Sequence, residues 1–337
     1  MKRIVVVGGG LIGARHLAAV RTHPRCALAG LVDPDPACLP GDDVTRFADM
    51  SEMPDDVDGV IIATPTHLHA THGCYAASRG WHMLIEKPVA GDLAGAKMLQ
   101  AAVAKAGVQS LVGHHRRYHR SIARLRQLIA GGGIGTPVTA ALIWAMRKPD
   151  EYFAGNWRTA GGSPVMINIV HDIDILRHLL GEIAATAALP GRSLRGTDRI
   201  ESGAVALAFE SGATGTISFA DTTPSPWGFE AGTGENPHIG TTGQDMMWIT
   251  GTKGAVSFPS MTRWQGTDWS RPAIAGDLSG PGDATVPLDR QLDHFIDVME
   301  NRAPPLIDVA DASRTLAVAL EIEAQLAPSA PGEKRYG

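Results

Sequence analysis

Cysteine is scarce in this chain: Cys26, Cys38 and Cys74 are the only three among 337 residues. Three thiols cannot build a disulfide framework, and their spacing does not suit a metal. Aromatic residues make up only 5% of the chain. Long apolar runs are missing as well, and none approaches the ~20 residues that a membrane-spanning helix needs. Nor is there an excess of one charge: 30 Lys and Arg stand against 35 Asp and Glu, a net charge of −5. That balance gives no reason to expect nucleic acid or an anionic membrane as partner. The basic start, Met1-Lys2-Arg3, is followed by only four apolar residues, Ile4-Val5-Val6-Val7. A signal-peptide core would need ~7–15. The expected setting is a reducing cytoplasm, and the expected partner a small-molecule substrate.

Glycine and aliphatic residues are plentiful, with 39 glycines and 44% of the chain hydrophobic. The chain exceeds the ~250–300 residues at which single cores stop growing, so two domains are expected, 1–117 and 118–337. Short β-branched runs at 2–7, 27–32, 57–63 and 82–85 alternate with helical stretches at 11–23, 68–78 and 92–106. Such alternation implies βαβ units and a parallel, doubly wound sheet. Beyond Gly113 the rhythm changes. Helices are expected at 118–130 and 165–180, and strands at 138–147, 204–209, 214–220, 246–250 and 255–258. Turn residues between the later strands point to an open, largely antiparallel sheet. Two helices, 289–301 and 309–326, close the pattern and are expected to pack back on the first domain. Residues 260–287 read as irregular, either a surface loop or part of a lid.

The first strand runs into Gly8-Gly9-Gly10-Leu11-Ile12-Gly13. In a G-x-G-x-x-G turn, Gly8 allows the tight bend and Gly10 a close approach by a pyrophosphate. Gly13 allows close helix–strand packing. The helix beginning at Leu11 and Ile12 then offers N–H groups and a positive dipole end to phosphate. Asp33, twenty residues past Gly13, ends the next strand. A carboxylate there accepts from ribose hydroxyls and repels a 2′-phosphate, so NAD is expected over NADP.

Ligands of open α/β sheets sit at the carboxyl ends of the strands. Thr64-Pro65-Thr66 and Glu86-Lys87-Pro88 lie at two such ends. Lys87 there can hold a substrate hydroxyl and lower its pKa. Further along, Asn168, His171 and Asp174 recur at three-residue spacing and would share a helix face. His171 then suits a general base oriented by a neighbour. His67, His69 and His72 invite a metal reading, but no carboxylate or cysteine completes the set, so no metal is expected. Trp227, in a shaped Ser-Pro-Trp-Gly loop, is a candidate for packing on substrate C–H faces.

These residues together resemble the glucose–fructose oxidoreductase, inositol dehydrogenase and rhizopine-catabolism family, Gfo/Idh/MocA. The resemblance rests on the glycine turn, Ala63-Thr64-Pro65 with His69, Glu86-Lys87-Pro88, and Arg117 in Gly113-His114-His115-Arg116-Arg117-Tyr118. It also rests on Trp157-Arg158, on Gly161-Gly162 through His171, and on Gln291-Leu292-Asp293-His294-Phe295. It implies a Rossmann domain plus an α+β domain whose sheet mediates a homo-oligomer, a dimer or tetramer. It also implies hydride transfer on sugars, polyols or cyclitols, the alternatives being a cyclic diol, hydroxy acid or imine as substrate, or a non-catalytic dinucleotide-sensing regulator of the same fold. Lys87 and His171 match the family's catalytic lysine and histidine. The resemblance puts Thr64, Pro65, His69 and Glu86 near the cofactor, and Arg117, Trp157 and Arg158 near the substrate. One departure stands out. Many members carry an aspartate four residues before the histidine, where this chain has Ile167. Asn168 or Asp174 is left to serve that histidine.

Overall fold

The computed structural model describes residues 1–38, 43–153, 162–196, 199–236, 238–271, 273–278 and 286–327. It divides into two compact units. One comprises Met1–Tyr118 with Thr285–Ala317, the other His119–Ala284 with Val318–Gly337.

The first unit is built on β1 (Lys2–Val7), α1 (Leu11–Thr22), β2 (Cys26–Val32), β3 (Arg46–Phe47), β4 (Gly59–Ile62), α2 (His69–Ser78), β5 (His82–Ile85), α3 (Leu93–Ala106) and β6 (Ser110–Val112). Its six strands are all parallel, in the order β3-β2-β1-β4-β5-β6. Chain order reverses between β1 and β4, so the turns after these two strands flank one crevice. Ile4 to Val7 and Val60 to Ile62 are at most 1% exposed. A parallel sheet covered on both faces requires such uninterrupted apolar strands. Asp92 caps α3, its Oδ1 accepting from the Gly95 N–H at 2.7 Å.

The second unit contains α4 (Arg120–Ala130), β7 (Pro137–Ala145), α5 (Val170–Leu180), β8 (Ile183–Pro190), β9 (Ser202–Phe209), β10 (Thr214–Ala220), the short α6 (Phe229–Thr233), β11 (Met247–Gly251), β12 (Gly254–Phe258), β13 (Thr262–Gln265) and β14 (Ile274–Asp277). Its eight-stranded sheet runs β14-β13-β12-β11-β7-β10-β9-β8. Only β7 and β10 pair in parallel; the other neighbours are antiparallel. Burial alternates along β10 and, from Ala204 onward, along β9. Val205, Leu207, Ile217 and Phe219 therefore face a core shared with Leu176 and Ile322, while the opposite face is open.

Of the closing helices, α7 (Pro287–Met299) belongs to the first unit. Its Gln291 Nε2 donates to the Val112 carbonyl at 3.1 Å. The division of units falls within α8 (Val309–Leu326), after Ala317.

Two expectations need correction. The stretch 260–287 is not wholly irregular, because β13 and β14 pair as an antiparallel extension of the sheet. Short polar strands such as Thr-Arg-Trp-Gln lack the alternation that would reveal them. The helix expected over 165–180 is not one continuous α-helix. Val165–Ile169 form a turn of π-helix, and the α-helix begins only at Val170.

Candidate active site

The glycine turn meets its steric requirements closely. Gly8 has φ +96°, where a Cβ would stand 2.7 Å from the Ala63 carbonyl oxygen. A Cβ on Gly13 would meet the Gly8 oxygen at 1.9 Å. Gly10 differs: it is exposed, and a Cβ there would meet nothing within 4 Å. It is also the N-cap of α1 and provides no side-chain hydrogen bond. The helix N-terminus thus opens into free space with its first N–H groups available to an anion. Leu11, beside it, is 83% exposed. Asp33 stands at the edge of this turn, its Oδ2 accepting from the Gly9 N–H at 2.7 Å and its Oδ1 from the Asp35 N–H at 2.9 Å. This combination of open space, uncapped N–H groups and an adjacent carboxylate fits a dinucleotide.

The next two strand ends are tied together by histidine. His69 is buried, with Nδ1 2.7 Å from the Pro88 carbonyl oxygen and Nε2 2.8 Å from that of Thr64. Burial pushes its pKa below the usual range, against the pull of the two carbonyls. His69 was expected at the cofactor, but its ring is spent on fixing the Thr64-Pro65 and Lys87-Pro88 loops. Thr64 Oγ1 lies 3.2 Å from His72 Nδ1, while Pro65 is exposed.

Glu86 has a comparable inward role. Its Oε1 is 2.8 Å from His16 Nε2, and its Oε2 accepts from the Lys87 N–H at 3.2 Å. Burial raises its pKa, but the His16 hydrogen bond and charge, with His115 and Lys87, outweigh this and lower it to about 2. Gly113 makes room for the carboxyl group, since a Cβ there would stand 2.9 Å from Glu86 Cδ. Lys87 follows as a half-buried residue in a cis peptide with Pro88.

In the second unit, Gly162 and Ser163 are fastened before the π turn. Arg199 Nη1 donates to the Gly162 carbonyl at 3.1 Å, and the Ser163 hydroxyl bonds to Glu323. Burial raises the Glu323 pKa, partly offset by that hydroxyl. His171 lies in the first turn of α5, 5% exposed, with Asp172 and Asp174 fully buried. His171 and Asp174 share a face of α5. Asn168 belongs to the π turn, whose wider pitch breaks the even three-residue face expected from sequence. Its Oδ1 is shielded from solvent and has no hydrogen-bond partner among the described residues.

Two other expected positions are placed, and two are not. Arg117, expected at the substrate, is 6% exposed and turned into its own unit. Its Nη1 donates to Asp311 Oδ2 at 2.7 Å and to the Leu306 carbonyl at 3.2 Å, so it is a strut. Trp227 is 38% exposed and bridges to Ala145, whose N–H donates to the Trp227 carbonyl at 2.8 Å. Trp157 and Arg158 lie outside the described residues, as does Gly161.

With the site in view, the relationship to known proteins is specific. Residues 2–114 match the model of an oxidoreductase family with an NAD-binding Rossmann fold, and residues 122–257 match the GFO/IDH/MocA C-terminal domain. The chain belongs to the Gfo/Idh/MocA family of oxidoreductases. The scyllo-inositol 2-dehydrogenase (NAD(+)) of Bacillus subtilis is 28% identical over 94% of this chain and 92% of its own. The 1,5-anhydro-D-fructose reductase of Ensifer adhaerens is 33% identical over 59% of this chain and 61% of its own. An Agrobacterium radiobacter oxidoreductase, solved with NAD+, L-tartaric acid and magnesium, has the same fold. Its TM-score is 0.80 at 20% identity, over 97% of this chain and 96% of that one.

Within this family frame, sequence reasoning missed three supporting residues. His16, Arg199 and Glu323 each hold a functional segment from a distant place in the chain. Only His16 left a trace, as a histidine on the otherwise apolar inner face of α1.

Proposed function

We propose that the protein is an NAD-dependent dehydrogenase that moves a hydride between a secondary alcohol of a sugar, polyol or cyclitol and the nicotinamide. The observation that carries this reading is the glycine turn, with open space before Gly10 and the Asp33 carboxylate bound to the Gly9 N–H. The likeness to scyllo-inositol 2-dehydrogenase along nearly the whole chain supports a polyhydroxylated substrate. Asp33 favours NAD, since a 2′-phosphate would meet its negative charge.

When bound, NAD supplies the hydride acceptor. Gly10, Leu11, Ile12 and Gly13 present the helix N-terminus to its pyrophosphate. Lys87 holds the substrate hydroxyl and stabilises negative charge developing on its oxygen. His171 takes the hydroxyl proton as general base. Asp174, on the same face of α5, orients the ring. Asn168 offers its unpartnered Oδ1 to a substrate hydroxyl. Trp157, Arg158 and Trp227 complete the substrate's surroundings. The free thiols of Cys26, Cys38 and Cys74 suit a reducing cytoplasm.

The deciding experiment measures NADH formation across polyols, cyclitols, sugars and sugar acids, with His171→Ala and NADP run in parallel. Turnover on one group is expected with NAD ahead of NADP, and a ~10²–10⁴-fold loss in His171→Ala with NAD binding intact. Unchanged turnover in that variant removes His171 from the mechanism. Silence across the panel with NAD bound overturns alcohol oxidation.

A further inference from the structure

A cavity of about 490 Å³ opens in the second unit where the chain leaves β7 and β10. These strands run side by side in parallel to Ala145 and Ala220, so both loops leave the same edge of the sheet. The Met146 N–H donates to the Ala220 carbonyl at 3.1 Å, and the Lys148 N–H to that of Asp221 at 2.9 Å. The lining includes Arg147, Asp150, Phe153, Arg195, Arg199 and Thr222.

Three guanidinium groups converge there. Arg195 Nη1 donates to Asp221 Oδ1 at 2.6 Å, and Arg199 Nη2 to Oδ2 of the same carboxylate at 3.0 Å. Asp221 is fully buried, so one enclosed carboxylate anchors two cations. The Arg199 guanidinium also lies 3.8 Å from the Phe153 ring centroid. Arg147 is less committed. Its side chain is 54% exposed, and its Nη2 stands 3.7 Å from Asp150 Oδ2, beyond hydrogen-bonding distance. Among the described residues Asp150, Asp221 and Glu201 all act on these arginines, and Arg147 is the one least engaged by them. Through its bond to the Gly162 carbonyl, Arg199 links the cavity wall to the segment that leads to His171.

We propose that this cavity receives the carboxylate of the substrate, so that the protein acts on an acidic sugar or polyol, of aldonic or uronic type, in preference to a neutral one. The proposal rests on the dehydrogenase reading above and narrows it. The planar fork of Arg147 pairs with a carboxylate in two parallel hydrogen bonds. The cavity volume of about 490 Å³ accommodates the attached carbon chain as well.

The test pairs acids with neutral counterparts: D-gluconate with D-glucitol, D-glucuronate with D-glucose, and L-tartrate with threitol. Each is assayed for NADH formation and, with NAD present, for binding by calorimetry. The protein is compared with Arg147→Gln and with Arg147→Lys, which keeps the charge but loses the fork. The expected result is an acid whose kcat/KM exceeds that of its counterpart at least ~10-fold, with that ratio falling ~10-fold in Arg147→Gln. Arg147→Lys should fall between the two, and NAD affinity should be unchanged. Neutral members used as well as acids, or a ratio indifferent to Arg147→Gln, overturns the proposal while the dehydrogenase reading stands. If nothing is oxidised, binding decides. Saturable acid binding weakened by Arg147→Gln upholds the cavity and defeats the dehydrogenase reading; absence of acid binding overturns the cavity.

Discussion

Glu86 is enclosed between His16 and the Lys87 N–H, and its acidity follows from those partners. The fold favours the ionised form, lowering the pKa from 4.5 to about 2. The resulting stability is complete above the unfolded value of 4.5 and is lost as pH falls towards 2. Such a shift corresponds to ~3 kcal/mol. Urea unfolding of the protein should therefore weaken more steeply between pH 5 and pH 2 than that of Glu86→Gln. Parallel pH profiles would show that the carboxylate is not stabilised in the folded state. At this scale the sequence revealed residue type and position relative to a strand, but not the direction of a side chain. Glu86, His69 and Arg117 were each read as facing a ligand because they stand beside strand ends or family motifs. All three turn inward, towards partners contributed by His16, Pro88 and Asp311.

Local elements were more legible than side-chain directions. The first turn of the chain was readable because its glycines answer to steric limits within a few residues, as Gly8 and Gly13 show. The start of the helix expected from residue 92 was readable for the same reason, Asp92 capping it through the Gly95 N–H. The π turn was not, because the apolar pattern of Val165–Leu180 continues unbroken through it. β8 was also hidden, since an alanine-rich segment such as Ile-Ala-Ala-Thr-Ala-Ala lacks β propensity. Its pairing with β9 is what makes it a strand. The glycine turn also sets a prediction for the whole β1–α1 element. Asp33 fastens it through the 2.7 Å bond from the Gly9 N–H. A hydrogen bond to a charged group contributes ~1.5–3 kcal/mol, so Asp33→Ala should weaken NAD binding roughly 10–100-fold. NADP should weaken less, because the variant also removes the repulsion of the 2′-phosphate. Calorimetric titration of both dinucleotides measures this, and an unaltered NAD-to-NADP ratio would exclude Asp33 as the discriminating group.

At the scale of the whole molecule, the sequence announced two sheets of different character, because parallel and antiparallel strands carry different burial patterns. Helix α7 was expected to pack back on the first domain, and its Gln291 meets Val112, 179 residues apart, within the first unit. The open face of the second sheet bears on assembly. Ala187, Ala206, Thr216 and Ala141 lie side by side across β8, β9, β10 and β7. Leu189, Ala204, Ser218 and Ile143 form the next row. Neither row contains a charge, and Leu189 is 53% exposed. An uncharged face of mostly small residues suits packing against a second copy, which buries it without desolvating ions. The protein should therefore sediment at twice the 35.5 kDa chain mass or a higher even multiple. Ala206→Arg places a charge at the centre of that face, where a solvated arginine is harmless to an isolated chain and costly in an interface. This variant should be folded and monomeric at micromolar concentration. A monomeric parent protein, or a variant that assembles as the parent does, would mean that the open face is not the contact between copies.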